Sequence, residues 1–105
     1  MEQLTYIPFK CKLKLSRQEL ATLSNMLCRL EHAKGVIRTR ALAEWVVGKR
    51  MDFARRLLQP RPHYSLTLNA IDAWAATTIL SNASKHDEYE EALAYKILDQ
   101  VARLM

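Results

Sequence analysis

Two stretches, KLKLSRQEL from Lys12 and SLTLNAIDA from Ser65, follow one plan. Each alternates leucine with a polar residue, then places a small polar residue followed three positions later by an acid. Alternation with a period of two marks a strand with one apolar face. The small polar residue and its acid mark the start of a helix. A chain that twice turns directly from strand to helix is confined to folds in which both strands lie against helices.

In the first stretch Phe9, Cys11, Leu13 and Leu15 alternate with Lys10, Lys12 and Lys14, so the polar face is wholly lysine. Pro8 suits the beginning or edge of such a strand. Ser16 and Glu19 form the expected capping box. In the second stretch Tyr64, Leu66 and Leu68 alternate with Ser65 and Thr67, Asn69 takes the cap position and Asp72 stands three residues later. Aspartate is shorter than the usual Glu or Gln, so the return bond is the weaker expectation there. Its charge still favours the positive end of the helix.

The helices that follow also correspond. Leu20, Leu23, Leu27 and Leu30 form a ridge of large side chains, and the positions 53 residues later are Ala73, Ala76, Leu80 and Ala83. Large against small suits close packing, so these two faces are expected to meet in the core. Gly35 is placed to end the first helix. A second helix is expected from about Ile37 to Leu58, burying Leu42, Trp45, Val46, Phe53 and Leu57. In the other half Ser84 and Asp87 repeat the cap pattern before a helix that buries Tyr89, Leu93, Ile97, Val101 and Leu104. RALAEW from Arg40 and EALAYK from Glu91 are faintly alike. Gln59-Pro60-Arg61-Pro62 joins the halves, its prolines stopping the preceding helix.

The expected fold is therefore α+β and predominantly helical. Two pseudo-repeated strand–helix–helix halves, roughly 1–58 and 63–105 joined by 59–62, form one domain with a four-helix core and a small two-stranded antiparallel ribbon. Two readings of the recurrence stand side by side. One is an internal repeat whose halves cover each other. The other is chance, because Leu-x-Leu followed by a cap is a common strand-to-helix junction.

No catalytic constellation is present. Two glycines in 105 residues leave no phosphate-binding loop or dinucleotide fingerprint, and no nucleophile elbow occurs. The chain is expected to be non-enzymatic, with no small-molecule substrate and no cofactor. Cys28 and His32 share a helix face, but a zinc site needs about four ligands and no second pair has suitable spacing. Cys11 and Cys28 are expected as buried free thiols. His86-Asp87-Glu88-Tyr89-Glu90-Glu91 reads as the acidic first turn of a helix. No stretch approaches the roughly 20 apolar residues of a membrane span, and the first residues lack a signal-peptide pattern, so a cytoplasmic location is expected.

The net charge of +5 conceals an asymmetry: residues 1–62 carry +8 and residues 63–105 carry −3. Lys10, Lys12 and Lys14 line the strand; Lys34, Arg38, Arg40, Lys49, Arg50, Arg55, Arg56 and Arg61 crowd the second helix and its flanks. From these, Lys10, Lys12, Lys14, Arg38, Lys49, Arg50, Arg55, Arg56 and Arg61 are the candidate nucleic-acid-binding residues, acting through phosphate and without sequence preference. Against this, strand lysines commonly block edge-to-edge association and helix arginines are often solvated or paired. The rival reading is a structural or adaptor subunit that forms a homodimer or docks on a protein partner, with Trp45 and Trp74 at the interface.

Overall fold

The computed structural model describes residues 10–32, 39–82 and 85–104. The element order is β1 (Cys11–Ser16), α1 (Arg17–Glu31), α2 (Arg40–Leu57), β2 (His63–Leu68), α3 (Ala70–Asn82) and α4 (Glu88–Leu104). The fold is α+β and mostly helical, with four helices and one two-stranded antiparallel sheet among the described residues. No described helix is long and apolar enough to cross a membrane.

The strands pair with Cys11 opposite Leu68, Leu13 opposite Leu66 and Leu15 opposite Tyr64. Because side chains alternate across a pleat, this register turns all six of those residues to one side, where they are buried. Lys12, Lys14, Ser65 and Thr67 face away and are exposed. A slip of one residue would bury the lysines, so the apolar alternation excludes it.

Each helix begins where a side chain takes up an unpaired amide. Ser16 Oγ accepts from the Glu19 amide at 3.1 Å and Glu19 Oε1 accepts from the Ser16 amide at 2.9 Å. The second box closes in full as well. Asn69 Oδ1 accepts from the Asp72 amide at 2.8 Å, and Asp72 Oδ2 accepts from the Asn69 amide at 3.1 Å. The shorter acid therefore does reach back. Thr39 Oγ1 caps α2 through the Leu42 amide, so that helix starts at Arg40 rather than near Ile37. Asp87 caps α4 through the Glu90 amide. Ile37, Gly35, Ala83 and Ser84 lie outside the described residues, as do Pro8 and Phe9.

The core takes Leu20, Leu23, Met26, Leu27 and Leu30 from α1 and Leu42, Val46 and Phe53 from α2. From α3 it takes Ala73, Ala75, Ala76, Ile79 and Leu80, and from α4 Leu93, Ala94, Ile97 and Val101. Sequence pattern pairs the α1 ridge with the small face of α3; the structure arranges them differently. Following the short connections, α1 lies along α2 and α3 along α4, while α1 against α4 and α2 against α3 complete the ring. The α1 and α3 faces look at each other across the diagonal. Leu23, Leu27, Ala76 and Leu80 border the same apolar void of about 20 Å³, with room for about one water and no ligand. Two further expectations are corrected. Tyr89, in the first turn of α4, is 39% exposed because it precedes the stretch that packs on the core. Cys28 is exposed, one position and hence about 100° around α1 from buried Leu27. Cys11 is buried, and burial pushes its thiol pKa up.

Polar contacts tie the halves together in a repeated way. The capping carboxylate of each first helix also accepts from the other half's second helix. Trp45 Nε1 donates to Asp72 Oδ1 at 2.8 Å, and Lys96 Nζ donates to Glu19 Oε2 at 2.9 Å. Burial raises the Glu19 pKa, but the Ser16 amide and Lys96 outweigh it, leaving a net lowering. A third tie joins α1 to α4: Arg29 holds buried Glu90 in a two-pronged pair at 2.6 and 2.8 Å, and the His86 amide donates to the same carboxylate.

Leu23→Ala should cost about 2–5 kcal/mol, read as a lowered urea midpoint with an unchanged slope. The Arg29 pair lowers the Glu90 pKa from 4.5 to about 2. Its stabilisation is complete above pH 4.5 and lost as pH falls towards 2. Glu90→Gln should therefore lower stability by about 1.5–3 kcal/mol at neutral pH. Urea titrations of both proteins from pH 7 downward should show the wild-type lead shrinking below pH 4.5.

Candidate nucleic-acid interface

The strand pattern that buries one face of the ribbon exposes the other. Lys12 lies opposite Thr67, Lys14 opposite Ser65 and Ser16 opposite His63, with exposed Lys10 just before β1. This outer face contains no carboxylate among its described residues. Among the described residues, none of the three lysine side chains has an ion-pair or hydrogen-bond partner.

The cations of α2 have different fates. Lys49 approaches Asp72 Oδ1 at 3.4 Å, and Arg50 pairs with Glu31. All four side chains are no more than about a third exposed, so Lys49 and Arg50 serve the joints between helices. Arg40 pairs with Glu44 and Arg56 with Asp52, both one helical turn apart at the surface, where such pairs contribute only about 0.3–0.5 kcal/mol. Arg55 is exposed and unpartnered among the described residues. Lys34 and Arg38 lie outside the described residues. The nine nominated residues thus divide: Lys49 and Arg50 are engaged inside the fold, the strand lysines, Arg55, Arg56 and Arg61 are at the surface, and Arg38 lies outside the described residues.

Sequence reasoning did not foresee how the ribbon edges are treated. Arg56 Nη1 donates to the Ser65 carbonyl at 2.9 Å, and Lys96 Nζ donates to the Lys14 carbonyl at 3.2 Å. These two carbonyls belong to one cross-strand pair and point out of opposite edges. One carbonyl of each strand is therefore held by a cation from a helix. Beside β2, Arg56, Gln59, Arg61, His63, Tyr64 and Ser65 line an open cleft of about 390 Å³. Tyr64 anchors its floor: its hydroxyl accepts from Arg17 Nη1 at 2.8 Å and donates to the Gln59 carbonyl at 2.7 Å. The prolines around Arg61 signal only a stop; the Tyr64 hydroxyl is what fixes the bend.

The tryptophans also part company. Trp45 is half-buried, packs on the core and donates to Asp72. Trp74 is 51% exposed, one turn from Ile71, which is 68% exposed. Among the described residues no group of three or more His, Cys, Asp or Glu side chains is placed to hold a metal ion. Comparison with protein-family models, with curated proteins and with solved structures finds no match for the chain.

Proposed function

We propose that this protein is a non-enzymatic binding domain that lays the outer face of its ribbon on duplex DNA. The observation that carries this reading is the composition of that face: Lys10, Lys12, Lys14, His63, Ser65 and Thr67, without a carboxylate and with its lysines unpartnered among the described residues. Blocking of aggregation is a poorer account of the lysines. They point out of the face, whereas on the edges it is Arg56 and Lys96 that hold a carbonyl of each strand.

Shape supports the choice of duplex DNA. Strands of six residues span about 20 Å and lie about 5 Å apart. A two-stranded ribbon of that size enters the major groove of B-form DNA, about 12 Å wide. Phosphates on the β2 side then come within reach of Arg56 and Arg61, whose neutral or weakly held partners can be exchanged for an anion. The outer face carries no Phe, Tyr or Trp among its described residues and only the small imidazole of His63, which disfavours base stacking with single strands. A-form duplex RNA has a deep, narrow major groove that such a ribbon cannot enter.

Anisotropy titrations with labelled duplex DNA, duplex RNA and single strands test this reading. Duplex DNA should bind best and weaken steeply with salt. Replacing Lys12 and Lys14 by Ser should lower affinity about 10- to 100-fold, and replacing Arg61 by Ser should flatten the salt slope by about one unit for the phosphate that is no longer neutralised. Because both lysine side chains are exposed, the thermal midpoint of the lysine variant should stay unchanged. An equal fall in affinity for an Arg40→Ser control would speak for a diffuse charge effect instead.

A second reading, self-association, has its own observation. The outward side of α3 presents Ala70, Ile71, Trp74, Thr78 and Ser81 without a charge, on a helix already apolar on its inner side. A helix apolar all round is characteristic of one that is covered. An uncharged face offers no repulsion to a second copy of itself. Light scattering should then show a salt-resistant dimer that Trp74→Ser converts to monomer; a monomer at every concentration would dismiss this reading.

A further inference from the structure

The two strands of the ribbon are matched on the buried side and mismatched on the exposed side. Inside, apolar residues face apolar residues at all three cross-strand positions. Outside, two of the three cross-strand pairs set a lysine against a hydroxyl, Lys12 against Thr67 and Lys14 against Ser65, while the third places Ser16 opposite His63. A ribbon made by two identical chains would repeat the same residue in both strands. Here one chain supplies both strands, so the outer face has a direction.

The edges share that direction. On the β2 side Arg56 and Arg61 border an open cleft, and neither is tied to a buried carboxylate. On the β1 side Lys96 is held by Glu19 and by the Lys14 carbonyl. Cations available for phosphate thus lie beside one strand, and those on the face belong to the other.

From this we infer that the ribbon reads a non-palindromic duplex site in a single orientation, an inference that rests on the duplex-DNA reading above. Lysine donates only. In the major groove guanine offers two adjacent acceptors, O6 and N7, whereas adenine sets an amino donor beside its N7 and cytosine offers a donor. Lys12 and Lys14 therefore select guanine under β1. Ser65 and Thr67 both donate and accept, and the Thr67 methyl group can lie against the thymine methyl. Under β2 the site tolerates A·T pairs, and Arg56 and Arg61 grip the phosphates alongside. The site class is an asymmetric one, with guanines in one half and thymine-containing pairs in the other.

Selection of the full-length protein on a random duplex library, followed by titration of the enriched sequence, tests this directly. The enriched motif should lack two-fold symmetry, and replacing its guanines by adenines should weaken binding roughly 5- to 100-fold. An exchange variant, Lys12→Thr with Thr67→Lys and Lys14→Ser with Ser65→Lys, keeps the face's composition and reverses its direction. Its hydroxyl-radical footprint on the same site should be reversed, and an unchanged thermal midpoint shows that it folds. A palindromic motif, an unchanged footprint, or duplex binding without sequence preference would overturn the directional inference and leave duplex binding standing. Absence of duplex binding would overturn both.

Discussion

Pairing of β1 with β2 is the contact on which the remaining structure depends. A two-stranded ribbon is marginal in water unless a packed layer supports it, and its inner residues, from Cys11 to Leu15 and from Tyr64 to Leu68, supply part of that layer. The helices in turn expose apolar stripes that the ribbon must cover. Neither layer is stable without the other. The cross-half bonds reinforce this dependence, because Glu19 and Asp72 cap their own helices and at the same time hold Lys96 and Trp45 from the other half. One carboxylate thus orders a helix start and a tertiary joint together.

The outer face follows from the same constraint. Alternation that satisfies the core leaves every second residue free to be chosen for solvent or for a partner. In β1 that freedom is filled with lysine; in β2 it is filled with hydroxyls and His63. Helix α2, despite its many cations, has much less freedom. Lys49 and Arg50 meet Asp72 and Glu31 across helix joints, so their charge is consumed in assembly. The ribbon face has all its described lysines unpartnered, whereas α2 keeps only part of its charge at the surface.

Local chemistry and the antiparallel pairing of the two strands were legible in the sequence, whereas helix placement and cross-helix ion pairs were not. Period-two alternation identified both strands, and Ser16 and Asn69 identified both helix starts, because these signals act within a few residues. The apolar alternation indicated which face of each strand is buried, and the register itself comes from the structure. The diagonal placement of α1 and α3 was not readable, since a ridge and a small-residue face state only what each helix buries. The neutralisation of Lys49 by Asp72 lay equally out of reach, because the partners are on different helices and no spacing rule connects them. Tyr89 kept to the helical stripe but stood too near the helix start to be covered. Thr39 sets the start of α2 because a hydroxyl that caps an amide fixes a helix boundary more firmly than hydrophobic spacing does.

The strand pair also has a consequence for how the chain is made. Leu13 and Leu66 are opposite each other in space but belong to opposite halves of the chain. During synthesis the first strand and its two helices emerge before any residue of the second strand exists. For that interval the apolar side of β1 lacks its cover and its hydrogen-bonding edge lacks its mate. Closing the ribbon then requires a long loop, which makes it a late and comparatively slow event.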